Sequence, residues 1–330
     1  MTFLAYRVTE SDSGYQGQWT ERTDDDLPAG DVLIEVKYSS LNYKDALSAS
    51  GNKGVTREYP HTPGIDAAGV VISSDSDKFS PGDEVVLFGY DLGMNTDGGF
   101  GQHIRVPASW VLTLPAGMTL ADSMCWGTAG FTAALSVLKL EAYGMTPDKG
   151  PVVVTGATGG VGSVGVSLLK HLGYDVIAVS GKAQQTDWLK SLGASSVVAR
   201  DDLMALKGKA IAKPVYQAAL DTVGGEMLSA LIPQIMPGGG VSTCGMVGGV
   251  KVEASIFPFI LRGVGLLGVD SVEIPHPLKQ QVLNSLAAEW KLPEIEGLTT
   301  TIGRGQLAET LAKILQGQGT GRYRLDLGKD

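Results

Sequence analysis

The sequence is poor in the residues that build disulfide frameworks and metal clusters. Its 330 residues include two cysteines and four histidines. Cys125 and Cys244 stand in separate apolar contexts, so neither a disulfide framework nor a cysteine-rich metal site can be assembled. A reducing compartment, the cytoplasm, is therefore the expected location.

A basic surplus and a long apolar run are also missing. The chain carries 26 basic and 35 acidic residues, a formal charge of −9, which disfavours nucleic-acid and anionic-membrane binding through charge. No apolar run reaches the ~18 residues of a membrane-spanning helix, and the amino terminus lacks the basic and apolar segments of a secretory signal. We therefore expect neither a nucleic-acid nor a membrane partner.

What the chain has in excess is glycine, within a length that suits two domains. Up to about residue 120, short alternating runs such as 32–38 and 84–88 lie between turn residues, which predicts a β-barrel-like region. Beyond it, continuous β-branched runs alternate with helical stretches, which predicts α/β architecture with a six-stranded, doubly wound parallel sheet. The half-exposed pattern returns at residues 299–327, so the tail is expected to complete the first region.

The most informative stretch is the glycine-rich segment at residues 154–165. It joins a predicted strand to a predicted helix, where a dinucleotide pyrophosphate sits on the first free N–H groups of the helix. Gly159 lets the backbone approach the phosphates and Gly162 permits close helix packing, while Ala157 stands where the pattern has its first glycine. A second register, starting at Gly160, matches literally but begins too far beyond the strand. The predicted contacts are Thr158, Gly159, Gly160, Val161 and Gly162.

The residues after the second parallel strand indicate which dinucleotide binds. An NAD site usually places a carboxylate there to hold the ribose 2′-hydroxyl. This chain has Ser180, Gly181 and Lys182 instead, and a hydroxyl with a cation suits a 2′-phosphate. NADPH is therefore predicted, although Lys182 could also be an ordinary solvated lysine.

Several motifs together resemble the zinc-free medium-chain dehydrogenases/reductases of the quinone-oxidoreductase type, and most closely their acrylyl-CoA reductase branch. Besides the glycine-rich segment, the resemblance is carried by SSLNYKDA (39–46), PGIDAAG (63–69), GTAGFTA (127–133), ALDTVGG (219–225), PFILR (258–262) and GVDSV (268–272). It implies a GroES-like catalytic domain, a Rossmann NADP-binding domain and a cleft between them. We place the catalytic domain at residues 1–122 and 296–330 and the Rossmann domain at 123–295.

The resemblance also bears on metal content. Zinc-bearing relatives have a cysteine at the position of Asn42 and Gly-His-Glu at the position of residues 64–66, and those ligands are absent here. No metal is therefore expected, and alcohol oxidation is disfavoured because nothing would polarise an alkoxide. Reduction of an already activated C=C bond needs less: hydride reaches the β-carbon, and the developing enolate oxygen needs hydrogen-bond donors.

Tyr43 is the residue that the resemblance places beside the nicotinamide. Its phenol would donate to a carbonyl or ribose oxygen or relay a proton. Stacking on the cofactor without proton transfer is the alternative, because a phenol is a weak acid near neutral pH. Asn42 and Asp45 are expected to hold and orient this loop, and the three residues form the predicted catalytic set.

Further cofactor contacts follow from the resemblance by position only. Arg200 is predicted to join Ser180 and Lys182 around the adenosine phosphate. The other predicted contacts are Met246, Ile260, Ser271 and Gln316. Each has a structural alternative as a core, turn or surface residue.

The sequence thus predicts an NADPH-dependent reductase, with acrylyl-CoA reduction to propionyl-CoA as the reaction that the resemblance implies. A quinone or enone oxidoreductase is the alternative within the class, and a non-catalytic, structural or RNA-associated nucleotide-binding protein the alternative outside it. The apolar run at 264–269 should form the last strand of its sheet, and pairing of that edge with a second copy predicts a homodimer.

Overall fold

The structure, a computed structural model, describes residues 1–330 and contains fifteen strands and nine α-helices. The strands are β1 (Thr2–Ser11), β2 (Gly14–Thr23), β3 (Val32–Ser40), β4 (Asp66–Ser74), β5 (Glu84–Phe88), β6 (His103–Val106), β7 (Leu112–Thr113), β8 (Val152–Val154), β9 (Val176–Ser180), β10 (Ser196–Ala199), β11 (Tyr216–Asp221), β12 (Ile235–Thr243), β13 (Gly265–Gly268), β14 (Thr299–Ile302) and β15 (Arg322–Asp326). The helices are α1 (Tyr43–Ala49), α2 (Leu120–Ala142), α3 (Gly160–His171), α4 (Thr186–Ser191), α5 (Arg200–Met204), α6 (Gly225–Leu231), α7 (Phe257–Arg262), α8 (His276–Ala287) and α9 (Leu307–Leu315). No helix is both long enough and apolar enough to cross a membrane.

The chain divides into two compact units. Unit 1 comprises Met1–Thr128 and Ser271–Asp330, and unit 2 comprises Ala129–Asp270. The chain passes from unit 1 to unit 2 within α2, just after Gly127 interrupts the helix with φ 51° and ψ −166°.

Unit 1 is built on an extensive β-sheet that the tail of the chain completes. Seven strands form it, in the order β14-β15-β3-β4-β5-β7 with β6 paired to β3. Strand β15 joins β3 in antiparallel register, Leu325 opposite Ser39. The predicted return of the tail to the first region is therefore confirmed. Strands β1 and β2 form a separate antiparallel hairpin.

Unit 2 is a parallel sheet flanked by helices. Its strand order is β10-β9-β8-β11-β12-β13, and every neighbouring pair is parallel. The sheet starts at β8 in its middle, continues outward to β9 and β10 on one side, and then to β11, β12 and β13 on the other. This is the strand order of a doubly wound dinucleotide-binding fold. Ligands of such folds bind where the strand order reverses, here at the carboxyl ends of β8 and β11. Val152, Val153 and Val154 are completely buried, which explains why that run shows no polar alternation.

Helix α8 belongs to unit 1. The observed units therefore differ from the predicted domains in where the chain returns to the first one. The Gln280 side chain donates to the carbonyl oxygen of Thr113 at 3.0 Å, and the buried Lys279 ammonium donates to the carbonyl oxygens of Phe88 and Val272 at 2.8 and 2.7 Å. The bonds to Thr113 and Phe88 tie residues 271–287 to the rest of unit 1, whereas the predicted limits assign these residues to the second domain. As a statement about domains, those limits stay a prediction.

Candidate active site

The glycine-rich turn follows β8 and leads into α3. Gly156 has φ +59°, and a Cβ there would collide with the Thr222 hydroxyl. The turn therefore requires glycine at 156, and completely buried Ala157 follows it. Gly156 therefore supplies the tight turn. The sequence pattern places its first glycine at position 157, one residue beyond it.

The turn fits a pyrophosphate. A Cβ on Gly162 would collide with the carbonyl oxygen of Gly156 and lie 2.8 Å from the Cα of Ala157, whereas at Gly159 the nearest atom would be 3.3 Å away. The first N–H groups of α3, at residues 160–162, have no intrahelical acceptor. A bare backbone around a positively polarised helix terminus is the arrangement that binds phosphate groups.

Four predicted adenosine-phosphate residues lie together at the ends of β9 and β10. Ala199 pairs with Ser180 in the parallel register, so Arg200 follows directly beside Gly181. A Cβ on Gly181 would lie 2.7 Å from the guanidinium carbon of Arg200. The Ser180 hydroxyl accepts the backbone N–H of Lys182 at 3.0 Å, and burial lowers the pKa of the Lys182 ammonium. Two cationic side chains at one corner suit a 2′-phosphate.

A buried polar cluster in unit 1 centres on Asp66, which is completely buried. Its carboxylate accepts hydrogen bonds from the Ser40 hydroxyl, from the Asn42 amide at 2.8 Å, and from the backbone and hydroxyl of Thr128 at 2.8 and 2.5 Å. A Cβ on Gly127 would lie 2.7 Å from the same carboxylate. The break in α2 at Gly127 therefore lets the backbone approach this cluster.

The cluster contains a second carboxylate, on Asp45. One of its oxygens accepts the backbone N–H of Ile65 at 2.8 Å, and the other accepts the backbone N–H of Asn42 at 2.8 Å. Burial, with the nearby charge of Asp66 second, raises the pKa of Asp45 to about 7.

One buried cation belongs to the same cluster. The Arg322 guanidinium donates to the Ser40 hydroxyl at 2.8 Å and to the carbonyl oxygens of Leu41 and Cys125 at 3.4 and 3.1 Å. Its side chain is only 2% exposed. Desolvation lowers the pKa of Arg322, while the charges of Asp66, Cys125 and Asp45 oppose that shift.

Tyr43 is the first residue of α1 and is 40% exposed. Asn42 precedes the helix in extended conformation, and its bonds to Asp45 and Asp66 anchor the helix start to the buried cluster. The structure thus brings Asn42 and Asp45 together and leaves the adjoining phenol accessible.

The remaining predicted contacts are distributed over both units. Met246 and Ile260, in unit 2, are 61% and 65% exposed. Ser271 is buried in unit 1, and Gln316 is an exposed residue that directly follows α9. Their assignment to the cofactor stays a prediction.

Sequence reasoning missed Asp66 and Arg322 as members of the site. Asp66 lies in the motif at residues 63–69, which indicates the family but not which groups the Asp66 carboxylate bonds to. Arg322 lies in the last strand with no local signal, since its partners come from distant parts of the chain.

The donor set of the cluster does not fit a zinc ion. The Asp66 carboxylate already accepts four hydrogen bonds, including one from Asn42 and one from Ser40. The Arg322 guanidinium in turn donates to the Ser40 hydroxyl, which places a cation close to this position. No group of three or more His, Cys, Asp or Glu residues is placed to hold a metal ion. The expectation that the protein carries no zinc stays a prediction.

Comparison with known proteins agrees with this architecture. Residues 28–116 match the alcohol dehydrogenase GroES-like domain, and residues 160–288 match the family described as zinc-binding dehydrogenase. The chain is 46% identical to the putative quinone oxidoreductase YhfP of Bacillus subtilis and 42% identical to the acrylyl-CoA reductase AcuI of Ruegeria pomeroyi, in each case over 92% of both chains.

Solved structures give the same result. The yhdH oxidoreductase of Salmonella enterica, in complex with NADP, has a TM-score of 0.95 and 39% identity, covering 99% of this chain and 100% of that one. The YhfP structure, with NAD bound, has a TM-score of 0.96 and 41% identity over the same shares.

A GroES-like unit and a Rossmann unit with a bare phosphate-binding turn define a pyridine-nucleotide oxidoreductase. The chain belongs to the medium-chain dehydrogenase/reductase family, in its quinone-oxidoreductase type with relatives in the acrylyl-CoA reductase branch. It is an NADPH-dependent reductase. The predictions of fold, family, enzyme class and cofactor are confirmed, and the non-catalytic alternative is not favoured.

Proposed function

We propose that the protein reduces the activated C=C bond of an enoyl thioester, and specifically acrylyl-CoA to propionyl-CoA. The observation that carries this proposal is the 42% identity to an acrylyl-CoA reductase over 92% of both chains. The Asp66 cluster, whose hydrogen-bonded donor set does not fit a zinc ion, is in keeping with this proposal, because an enoyl thioester needs no Lewis acid of the strength that alcohol oxidation requires.

The reaction adds one hydride and one proton across the double bond. Bound at the glycine-rich turn, with Ser180, Lys182 and Arg200 around its adenosine phosphate, NADPH would supply the hydride. The β-carbon would accept it, the thioester oxygen would take the negative charge, and the α-carbon would then take a proton. Tyr43 is our candidate for donating a hydrogen bond to that oxygen or relaying the proton. Asn42 and Asp45 orient it by fixing the start of α1 on the Asp66 cluster.

The test is NADPH oxidation measured in parallel with acrylyl-CoA, a free enone and a quinone. We expect kcat/KM for acrylyl-CoA to exceed the other two by about tenfold or more, since the CoA moiety contributes binding energy. Tyr43→Phe should lower the rate with all acceptors if the phenol acts in transfer, and leave kcat unchanged if it only stacks. Equal kcat/KM on the three acceptors would refute the CoA assignment.

Quinone reduction is the second candidate function, favoured by the 46% identity to a protein named a putative quinone oxidoreductase. It becomes the better description if the quinone exceeds acrylyl-CoA in kcat/KM and free CoA does not inhibit. Inhibition by free CoA, competitive with acrylyl-CoA, supports the first candidate.

The predicted contact of Lys182 with a 2′-phosphate can be tested by comparing the affinities for NADPH and NADH. Lys182→Glu should weaken NADPH binding about tenfold or more relative to NADH, because it removes a cation and adds a repulsive charge. Kd values for both dinucleotides, from fluorescence titration, measure this. Lys209→Glu makes the same charge change at an exposed position and should leave the ratio unchanged. Equal weakening of both dinucleotides by Lys182→Glu would contradict the assignment.

We also propose that the protein is a homodimer through the edge of the unit 2 sheet. Strand β13 is the last strand of that sheet, and Leu266 on it is 43% exposed. The neighbouring helix α7 exposes Phe257, Ile260 and Leu261 by 45%, 65% and 66%. An apolar sheet edge of this kind invites pairing with a second copy.

Proline at Leu266 should dissociate the dimer. The N–H of Val269 bonds to Thr243 at 3.0 Å, and since N–H directions alternate along a strand, that of Leu266 points away from β12. Leu266→Pro therefore removes an outward donor but keeps the β12 pairing. Light scattering should show monomers, whereas Leu266→Thr, which keeps the N–H, stays dimeric. A parent protein that is monomeric at micromolar concentration would refute the proposal.

A further inference from the structure

One buried carboxylate lies at the carboxyl edge of the unit 2 sheet. Asp221 is the last residue of β11 and is completely buried. Its carboxylate accepts the hydroxyls of Thr155 and Thr243 at 2.7 and 3.0 Å, and the backbone N–H groups of Val223 and Gly224 at 3.3 and 3.0 Å. None of these four donors is charged.

The four donors come from the ends of three neighbouring strands. Thr155 directly follows β8, Thr243 ends β12, and Val223 and Gly224 lie in the loop after β11. The parallel ladder between β8 and β11 ends at Val154 opposite Leu220, so beyond that point side chains provide most of the connection. Asp221 therefore joins the strands where the ladder ends and the loops begin.

These loops are close together around the glycine-rich turn. The Thr222 hydroxyl donates to the carbonyl oxygen of Thr155 at 2.9 Å, and the Thr222 N–H donates to the Thr155 hydroxyl at 3.1 Å. A Cβ on Gly156 would collide with the Thr222 hydroxyl, and one on Gly245 would collide with the Thr222 carbonyl oxygen. A small displacement of the loop after β11 would therefore displace the turn on one side and the loop with Met246 on the other.

The burial of this carboxylate is costly. Desolvation raises the pKa of Asp221, opposed by its hydrogen bonds to Thr155, Gly224, Thr243 and Val223. An apolar residue of similar size would avoid the desolvation cost. An ionised carboxylate accepts hydrogen bonds from several donors at once and donates none. It can therefore hold together the donors that come from the chain segments at the ends of β8, β11 and β12.

We propose that Asp221 is the positioning residue of the dinucleotide site, whose carboxylate holds the glycine-rich turn and the loop after β12 in the arrangement that receives NADPH. Asp221 acts through Thr155 and Thr243 and does not itself contact the cofactor. The proposal concerns cofactor affinity and is independent of the acyl substrate.

The test compares two neighbouring residues of β12. Thr243→Val removes a hydroxyl that donates to Asp221, and Ser242→Ala removes a completely buried hydroxyl that donates to the carbonyl oxygen of Ala219 at 3.3 Å. We measure NADPH Kd by fluorescence titration, thermal unfolding, and KM for NADPH against kcat in the full-length protein. Asp221→Asn is the third variant, of nearly equal size, with an amide donor facing the four donors.

We expect Thr243→Val to raise the Kd and KM for NADPH about threefold, and Asp221→Asn to raise them about tenfold or more, with kcat little changed at saturation. Ser242→Ala should bind NADPH as the parent protein does, even where its unfolding temperature falls as far as that of Thr243→Val. The proposal is overturned if Thr243→Val and Ser242→Ala have the same Kd. This comparison decides the question even if Asp221→Asn fails to fold.

Discussion

Gly162→Ala should weaken NADPH binding severely, with a Kd at least about 100-fold above that of the parent, a loss of about 2.7 kcal/mol. The added Cβ collides with the carbonyl oxygen of Gly156 and lies 2.8 Å from the Cα of Ala157. Both contacts are backbone, so the turn itself must move. The unfolding temperature should fall as well. Fluorescence titration with NADPH measures the Kd, and thermal unfolding measures the loss of stability.

Two other glycines of the segment provide comparison variants, of which Gly165→Ala is the control for binding. At Gly165 the nearest atom to a new Cβ is a Leu220 methyl carbon at 3.0 Å, which can move, so Gly165→Ala should bind NADPH normally. At Gly159 the only near atom is the carbonyl oxygen of Gly156 at 3.3 Å, so Gly159→Ala should fold normally but bind NADPH weakly. Loss of binding in both Gly162→Ala and Gly165→Ala, with normal binding in Gly159→Ala, would favour the other register of the glycine pattern, which starts at Gly160.

Arg322→Met should be the most destabilising single change in unit 1. It removes the buried guanidinium that bonds to Ser40 and leaves the carboxylates of Asp45 and Asp66 buried beside it. Loss of one partner from a buried charged network costs about 3–5 kcal/mol. Urea unfolding monitored by tryptophan fluorescence measures this loss, and a free energy of unfolding within about 1 kcal/mol of the parent would contradict the role given to the cluster.

The destabilisation should depend on pH in a direction set by Asp45. Because folding raises the pKa of Asp45 to about 7, its contribution to stability is present below the ordinary pKa near ~3.9 and is lost as the pH rises through about 7. The charge of Asp45 is one of those that raise the pKa of Arg322, so by the same interaction removal of Arg322 should raise the pKa of Asp45 further. The stability difference between parent and Arg322→Met should therefore be larger at pH 8.5 than at pH 5.5, on either side of this pKa.

Arg324→Met is the control on the same strand. Arg324 pairs with Glu296, whose side chain is 53% exposed, so the carboxylate that loses its partner stays solvated. We expect a smaller loss of stability with little change between the two pH values. An equal pH dependence in both variants would show that Asp45 is not its source.

The Rossmann unit was the part of the fold most fully predictable from the sequence. Its strands are short continuous apolar runs, and its glycine-rich turn lies between β8 and α3, within one stretch of chain. Such features depend on local conformation and on burial of both sheet faces. The same holds for Asn42 and Asp45, which are three residues apart at the start of α1.

Helix α8 was not predicted, and its place in unit 1 could not be read from its sequence. Its first residues are polar on most faces, and its attachment depends on Lys279 and Gln280 reaching the carbonyl oxygens of Phe88 and Thr113. Bonds from side chains to distant backbone groups leave no periodic pattern, because the acceptor is present at every residue of the chain.

The sequence by itself determined the family, the order of the two folds, the dinucleotide-binding turn and the preference for NADPH, because each rests on residues close together in the chain. Only the tertiary structure decided which groups surround Asp66 in the buried polar cluster. Ser40 and Arg322 are 282 positions apart, and Asp66 meets Thr128 across 62. A buried carboxylate can select its partners only from what the folded chain brings within hydrogen-bonding distance, and that selection is made by packing rather than by local sequence.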